Sequence, residues 1–206
     1  MISDELLILL RHFPTQDELD GRVSSWVITP SILEISKTEM LHIAEQLKTF
    51  ALRFPIESIY CSDSYQAKQT ALLLGSQLNL PVIENHLLRN INRPTWEGLT
   101  YDEIKNLDED QLEIWSNRPG EIRFIDGETL ADVRKRVVEF CVNNKYPKIV
   151  ITHTTTFHAF LLENFDLNSN YAWDFKPEMY CFTVLYNGTL WALNIRDLSY
   201  LTLTYK

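Results

Sequence analysis

Leu6-Leu7-Ile8-Leu9-Leu10-Arg11-His12-Phe13-Pro14-Thr15 is the stretch from which the fold can be predicted, because five apolar residues run directly into an Arg-His pair. A continuous apolar run of this length is typical of a strand that is buried on both faces in a parallel sheet. Functional groups of open α/β sheets lie at the carboxyl ends of the strands. Taken alone, the Arg-His pair fits a solvated loop better than a functional site, so the interpretation needs support from elsewhere in the chain.

Two later segments repeat this pattern of a short apolar strand followed by a helix. Residues 148–153 form an apolar strand that ends on His153 and precedes a predicted helix at 155–163. Residues 56–61 form another such strand, followed by Ser62-Asp63 as N-cap candidates and a helix from Tyr65. The three strands are therefore predicted to be neighbours or near-neighbours, with His12 and His153 at the same edge of the sheet.

The last third of the chain predicts an antiparallel addition to this sheet. Asn187-Gly188 is a strong hairpin signal between strands predicted at 180–186 and 190–195. The predicted fold is a three-layer α/β/α sandwich whose central sheet is mostly parallel, with an antiparallel strand at one edge. The other elements expected are a strand at 81–88 and helices at 37–52, 65–74, 101–115 and 130–141.

Composition restricts the possible partners. The net charge of −9 argues against DNA, RNA or an anionic membrane as the main partner, because these require clustered Lys and Arg. The three widely spaced cysteines fit reduced core residues. The chain has no Gly-rich nucleotide loop, so no cofactor is indicated. The chain has no recognisable secretion signal or membrane segment, which predicts a cytoplasmic protein.

Five stretches, taken in order, carry a resemblance to a known family. They are Arg11-His12-Phe13-Pro14-Thr15, similar to RHGxT; Ser62-Asp63-Ser64-Tyr65-Gln66-Ala67-Lys68-Gln69-Thr70-Ala71, similar to SDxxRAxQTA; Leu88-Arg89-Asn90-Ile91-Asn92-Arg93-Pro94-Thr95-Trp96-Glu97-Gly98-Leu99, similar to LREIxFGxWEGL; Gly127-Glu128-Thr129-Leu130-Ala131-Asp132-Val133-Arg134, similar to GESLADVR; and Thr152-His153-Thr154-Thr155, similar to SHGG. Together they resemble the histidine phosphatase superfamily, which includes cofactor-dependent phosphoglycerate mutases. The resemblance implies one histidine phosphatase-like domain over residues 1–206, although Phe13 replaces the usual glycine.

The resemblance also implies roles for individual residues. His12 would be the nucleophile that forms a phosphohistidine, Arg11 would clamp the phosphoryl oxygens, and His153 would donate a hydrogen bond to the transferring group. A planar guanidinium suits phosphate because its paired donors match the phosphate oxygens. The further phosphate- or substrate-binding residues expected from the matched motifs are Thr15, Arg22, Gln66, Asn90 and Thr154. The implied activity is that of a metal-independent phosphohydrolase acting on a small phosphorylated metabolite or a phosphoprotein.

Two positions depart from the family in ways that bear on chemistry. The family's second phosphate-binding Arg falls on Gln66, and its acidic Glu falls on Asn90. Among the nearby cations Arg89, Arg93 and Lys68, we favour Arg93 as the replacement, because its loop already approaches the site.

The missing acid has two nearby carboxylates as candidates, Asp63 and Glu97, and neither is a clear replacement. An amide cannot supply a proton to a leaving group. The sequence therefore predicts a preference for esters whose leaving groups are stable anions.

Two other functions are compatible with the same residues. A catalytically weakened relative could bind a phosphorylated ligand or a protein partner through the same pocket. A phosphoglycerate mutase is less favoured, because the chain is short for one and lacks the acidic Glu. The remaining histidines match no motif position, and we interpret His42 and His86 as structural and expect His158 at the rim.

Overall fold

The computed structural model describes residues 6–201 apart from 28, 35, 145–147 and 200. In this part of the chain one sheet contains six strands. They are β1 (Leu7–Arg11), β2 (Ser58–Cys61), β3 (Val82–Glu84), β4 (Lys148–Thr152), β5 (Phe182–Tyr186) and β6 (Thr189–Ile195). Their spatial order is β3-β2-β4-β1-β5-β6.

The first four strands of that order are parallel, and β5 runs antiparallel to both β1 and β6. The predicted neighbours are confirmed, with β4 between β2 and β1. Ile149 of β4 lies opposite Ile8 on one side and Ile59 on the other. The C-terminal hairpin forms the predicted edge, but the reversed strand β5 lies one position inside it and β6 is the outermost strand.

Seven α-helices accompany the sheet in the described residues. They are α1 (Gln16–Leu19), α2 (Ser36–Ala51), α3 (Tyr65–Leu78), α4 (Tyr101–Leu107), α5 (Glu109–Asn117), α6 (Leu130–Asn143) and α7 (Thr154–Asn164). Short 3₁₀ helices cover His86–Leu88, Pro94–Trp96, Pro119–Glu121 and Ser169–Asp174. No helix in the described ranges is both long and apolar enough to span a membrane.

Side chains of β1 alternate between two hydrophobic clusters, one on each face of the sheet. Leu7 and Leu9 pack with residues of α6 and α7, whereas Ile8 and Leu10 pack with residues of α2 and α3. Helices therefore cover both faces, and the predicted three-layer α/β/α sandwich is confirmed. Burial on both faces explains why β1 is a continuous apolar run rather than an alternating one.

The predicted strand at 81–88 is mostly wrong. Only Val82–Glu84 is a strand, and His86–Leu88 is a 3₁₀ helix. The Asn85 side chain caps that helix by accepting a hydrogen bond from the Leu87 backbone N–H at 2.9 Å. Because Asn offers the backbone this local bond, the chain leaves the edge of the sheet early, and His86 is not in a strand.

The helix predicted at 101–115 is two helices, α4 and α5. Asp108 ends the first helix and caps the second, because its carboxylate accepts a hydrogen bond from the Gln111 backbone N–H at 3.0 Å. Asp competes with the helical backbone in this way, which interrupts a stretch with weak apolar periodicity. The three cysteines are buried and unpaired, as expected for reduced core residues.

The positions of two isoleucines in the sheet predict different losses in the free energy of unfolding when each is replaced by Ala. Ile149 is 0% exposed at the centre, and replacing it by Ala should lower the free energy of unfolding by about 2–5 kcal/mol. Ile83 on the edge strand β3 is 40% exposed, so Ile83→Ala should cost about 1 kcal/mol or less. Chemical denaturation of both variants tests this, and equal losses would contradict the layering.

Candidate active site

One cavity of about 510 Å³ opens at the carboxyl ends of β1 and β4. All nine residues predicted for the site line it, and these are Arg11, His12, Thr15, Arg22, Gln66, Asn90, Arg93, His153 and Thr154. The segment after Pro14 also contributes to the lining, through Glu18, Gly21, Val23 and Ser24. The fold thus brings together predicted residues from four separate parts of the chain.

His12 follows the last residue of β1 and keeps that strand paired with β4. Its backbone N–H donates to the Thr152 carbonyl at 3.0 Å. Its ring Nδ1 lies 2.8 Å from the Phe13 carbonyl. A carbonyl can only accept, so Nδ1 carries the proton and the Nε2 lone pair is left for other partners.

Burial keeps the His12 ring neutral. The side chain is 5% exposed, and burial, followed by the charge of Arg11, lowers the pKa of His12 to about 3. The Phe13 carbonyl opposes this change only in part. At neutral pH His12 is therefore an uncharged imidazole with a basic Nε2, which is the form that a nucleophile requires.

Phe13, the departure from the family's glycine, is accommodated by the core. Its ring is fully buried and lies 5.3 Å from the Tyr180 ring. Its backbone N–H donates to the Thr70 hydroxyl at 3.0 Å, which ties the loop after β1 to α3. The larger side chain therefore points into the layer formed with α2 and α3, and it does not line the cavity.

His153 lies at the N-cap of α7, next to His12. The two rings meet edge to face, with centroids 4.9 Å apart and an interplanar angle of 63°. Burial, followed by the charges of His12 and nearby arginines, holds the pKa of His153 well below its ordinary value. His153 Nε2 lies 3.0 Å from the Ser64 hydroxyl.

Ser64, rather than the predicted Ser62 or Asp63, is the N-cap residue of α3. Its side chain makes no hydrogen bond to the first turn of that helix and contacts His153 instead. Sequence pattern alone favours Ser and Asp at N-caps. It cannot show that the Ser64 hydroxyl contacts His153, which follows the end of a different strand, β4.

Arg11 is paired with a carboxylate that the sequence analysis did not consider. Its guanidinium donates to Glu18 Oε1, and that same oxygen lies 3.9 Å from His12 Nε2. Burial lowers the pKa of Arg11 to about 10, so it stays a cation at neutral pH. Thr15 and Glu18 form a capping box on α1, with Glu18 Oε2 accepting from the Thr15 N–H at 3.1 Å. The Thr15-x-x-Glu18 spacing is the sequence signal that could have located this residue.

Arg93 is a second buried cation in the cavity wall. It is 6% exposed, and its guanidinium carbon lies 5.2 Å from the centre of the Trp115 ring. The other two candidates are neutralised elsewhere, since Arg89 binds Asp63 through two contacts of 2.6 and 2.7 Å and Lys68 pairs with Glu84 at 2.6 Å. Of the three candidates Arg93 alone lines the cavity, and its role as the replacement cation stays a prediction.

Neither carboxylate considered as a replacement acid reaches the cavity. The hydrogen bond from Arg89 lowers the pKa of Asp63, which favours its ionised form. Glu97 accepts from the backbone N–H groups of Ser25 and Trp26 at 2.9 and 3.2 Å. Both therefore hold the loops around the site in place.

Asn90 lines the cavity, but its amide is also used locally. Nδ2 donates to the Ser24 carbonyl at 3.2 Å, and Oδ1 accepts from the Ile91 N–H at 3.0 Å. Arg136 donates to the Arg89 and Asn90 carbonyls and to Glu128. Asn90 is thus held on a fixed loop.

Gln66, Arg22 and Thr154 approach the cavity from different elements. Gln66 is in the first turn of α3 and is buried, whereas Arg22 is half exposed and donates to the Gly98 carbonyl at 2.9 Å. Thr154 is the first residue of α7. The N-terminal N–H groups of such a helix favour an anion.

His158 belongs to the cavity wall, so its expected position at the rim was wrong. It is 1% exposed, lines the cavity, and its ring centroid is 5.1 Å from that of Trp173. Its pKa is lowered to about 3, because burial disfavours the cation more than the Phe175 backbone favours it. Helix α7 is buried almost all round, which places His158 inside the protein.

Buried polar atoms without partners concentrate at this cavity. In the described part of the chain, six buried side-chain atoms lack a hydrogen bond of normal geometry, and five of them belong to cavity residues. Those five are Arg11 Nε, Gln66 Oε1, Arg93 Nε and both ring nitrogens of His158. Buried polar groups are normally satisfied, so this concentration indicates a polar ligand.

Comparisons with known proteins agree with this geometry. The family model of the histidine phosphatase superfamily (branch 1) matches residues 7–193. Phosphoserine phosphatase 1 of Hydrogenobacter thermophilus is 25% identical over 185 residues, which cover 87% of this chain and 85% of that protein. The 2,3-bisphosphoglycerate-dependent phosphoglycerate mutase of Bartonella quintana is 27% identical over 157 residues, 74% of each chain.

Solved structures show the same fold. Bacillus stearothermophilus YhfR superposes with a TM-score of 0.77 at 24% identity, covering 93% of this chain and 96% of that one. Mycobacterial hydrolase 1 gives a TM-score of 0.80 at 21% identity, covering 93% and 98% of the two chains.

The neutral buried histidines predict a loss of stability in acid. His12 and His158 stay neutral in the native state down to about pH 3, whereas in the unfolded chain histidine binds a proton below about pH 6.5. The unfolded state therefore binds more protons between these values, and stability falls as the pH falls through this window.

His158→Gln removes one of these sites, and it should make the dependence of the unfolding free energy on pH shallower by up to about 1.4 kcal/mol per pH unit. Denaturant titrations from pH 7 to pH 4 measure this slope. His42→Gln, at an exposed position of α2, is the matched control for the change of a histidine to glutamine. Equal slopes for wild type and His158→Gln would contradict the burial of a neutral His158.

Proposed function

We propose that this chain, which belongs to the histidine phosphatase superfamily (branch 1), is a phosphatase that hydrolyses phosphate monoesters through a phosphohistidine on His12. The observation that carries the proposal is the contact between the neutral rings of His12 and His153 in a cavity lined by two buried arginines. We also propose that the chain is a single domain, because both hydrophobic clusters pack on opposite faces of one sheet.

The first step needs a nucleophile in line with phosphorus and positive charge around the equatorial oxygens. His12 Nε2 has a lone pair, because Nδ1 donates to the Phe13 carbonyl. Arg11 and Arg93 supply the positive charge. Other members of the family take part of this charge from an Arg at the position that Gln66 occupies here. The N-terminus of α7 adds backbone N–H donors on the same side.

His153 supports the same step as a neutral donor. A neutral imidazole has one N–H, which can hydrogen-bond a phosphoryl oxygen as negative charge develops there. Its packing against His12, with ring centroids 4.9 Å apart, supports joint contact of the two rings with a single phosphate group. Ser64 holds the His153 ring through the 3.0 Å contact to Nε2.

A small phosphorylated metabolite fits the cavity better than a phosphoprotein. A volume of about 510 Å³ accommodates a phosphate together with a modest alcohol group. Two of the relatives are named for phosphoserine and for 2,3-bisphosphoglycerate, which are molecules of that size. Trp115, Trp173 and Lys176 also line the cavity, and we expect them to contact such an alcohol group.

A second candidate function is binding of a phosphorylated ligand without turnover. It is favoured by Gln66 and Asn90, which replace a charged clamp and an acid by amides. Both functions use one cavity, so only an activity measurement separates them.

Replacement of His12 tests the proposal. His12→Ala should lower kcat/KM for an aryl phosphate by at least about 10⁴-fold while the fold is retained, because the nucleophile is lost. His153→Ala should be severely impaired, and His42→Ala, on an exposed face of α2, should be unchanged. An aryl phosphatase activity that survives His12→Ala would contradict the proposal. Tight phosphate binding with no turnover by the wild type would favour the binding function.

Gln66→Arg should restore a second clamp from α3. A charge-assisted hydrogen bond contributes about 1.5–3 kcal/mol, so inorganic phosphate or vanadate should bind roughly ten- to hundredfold more tightly. Gln77→Arg adds the same charge on the same helix outside the cavity lining and is the matched control. Calorimetry or competitive inhibition measures the affinity. Unchanged or weaker binding would mean that another group already fills this part of the site.

A further inference from the structure

Glu18 is the only carboxylate among the described residues that line the cavity. It lies in helix α1, where its Oε2 accepts a capping-box hydrogen bond from the Thr15 N–H at 3.1 Å. Its carboxyl group is mostly buried, with 17% of the side chain exposed. Glu18 lies in a different segment of the chain from Asn90, the position at which the family has its acidic Glu.

The contacts of Glu18 overlap with those that a phosphoryl group requires. Its Oε1 accepts from Arg11 and lies 3.9 Å from His12 Nε2. Phosphorus in a reactive position lies about 3–3.5 Å from the attacking atom, with its three equatorial oxygens around it and the leaving oxygen on the far side. A phosphoryl group bound there would therefore compete with Glu18 for Arg11, and the carboxyl group would have to move toward the rest of the cavity.

Displacement changes the charge balance around Glu18. The carboxylate loses its ion pair with Arg11 and faces the phosphoryl oxygens instead. Two anionic groups that share one site favour protonation of one of them. The protonated form of Glu18 is the form that can donate to the ester oxygen of the bond that has to break.

Resting on the proposed function, we infer that Glu18 is the general acid of the reaction. His12 Nε2 attacks phosphorus, the P–O ester bond breaks, and its electron pair leaves with the ester oxygen. That oxygen takes the Glu18 proton and departs as a neutral alcohol, which leaves phosphohistidine and the Glu18 carboxylate.

The second step returns both residues to their starting forms. Water attacks phosphorus through its oxygen and gives one proton to the Glu18 carboxylate. The N–P bond breaks, its electron pair returns to Nε2, and inorganic phosphate is formed. The sum over both steps is ester plus water giving alcohol plus phosphate, with Glu18 protonated again.

A resident acid changes the class of substrate. An aliphatic alcohol is a poor leaving group unless it is protonated, and a positioned acid typically contributes about 10²- to 10⁴-fold. With Glu18 as the donor, esters of aliphatic alcohols such as hydroxy acids or sugars are substrates. This replaces the preference for stable anionic leaving groups that Asn90 alone predicts.

A series of phenyl and alkyl phosphates separates this role from a structural one. In the wild type, log(kcat/KM) should depend only weakly on leaving-group pKa. Glu18→Gln keeps the side-chain length and an acceptor for the Thr15 N–H, and it should lower kcat/KM for alkyl phosphates by about 10²-fold or more. The loss for p-nitrophenyl phosphate should be less than about tenfold, because that leaving group needs no proton.

The pH profile gives a second measurement. The alkaline decline of kcat/KM for alkyl phosphates that reports the acid should be present in the wild type and absent in Glu18→Gln. Asp20→Asn, the same kind of change at an exposed carboxylate outside the cavity lining, should alter neither the rates nor the profile.

The outcomes distinguish failure of this inference from failure of the proposed function. An equal loss for all esters, no loss in Glu18→Gln, or a steep leaving-group dependence in the wild type would overturn the role of Glu18 while His12-dependent turnover stands. Activity that does not depend on His12, or no turnover of any ester, would overturn the proposed function and this inference with it.

Discussion

The parallel pairing of β1 with β4 is the constraint on which the rest of the site depends. Arg11 lies opposite Thr152, and the His12 N–H continues the ladder to the Thr152 carbonyl at 3.0 Å. This register places His12 and His153 at adjacent strand ends, where their rings touch. A strand buried on both faces tolerates little slippage, since a shift of one residue would turn its apolar side chains to the wrong layer.

The same burial that secures the strands sets the chemistry at their ends. His12 and His153 are neutral because water is excluded, and Arg11 remains a cation because its pKa, although lowered to about 10, is still well above neutrality. Buried polar atoms without partners carry a free-energy cost of about 1–3 kcal/mol each. Five such atoms belong to residues of this cavity, so they lower the stability of the protein without a ligand. A charged ligand that hydrogen-bonds to these atoms would offset that cost.

The sequence was sufficient for the elements whose residues are buried by the sheet itself. The apolar run before Arg11, the strand before His153 and the Asn187-Gly188 turn all lie where they were predicted. It was insufficient where side chains make local hydrogen bonds, as at Asp108 and Asn85, which end or split elements. Glu18 and His158 were missed because their roles depend on which groups the fold brings beside them, and neither has a periodic or motif signal of its own beyond the capping box.

The central claim is that His12 Nε2 becomes bonded to phosphorus during turnover. Rapid mixing of the wild-type protein with a radiolabelled aryl phosphate, alkaline quenching and peptide mapping measure this directly. The account predicts label on the peptide that contains His12, lost on brief acid treatment and absent from His12→Ala. Rapid product formation with no labelled peptide, or with label on another residue such as Ser64, would contradict it.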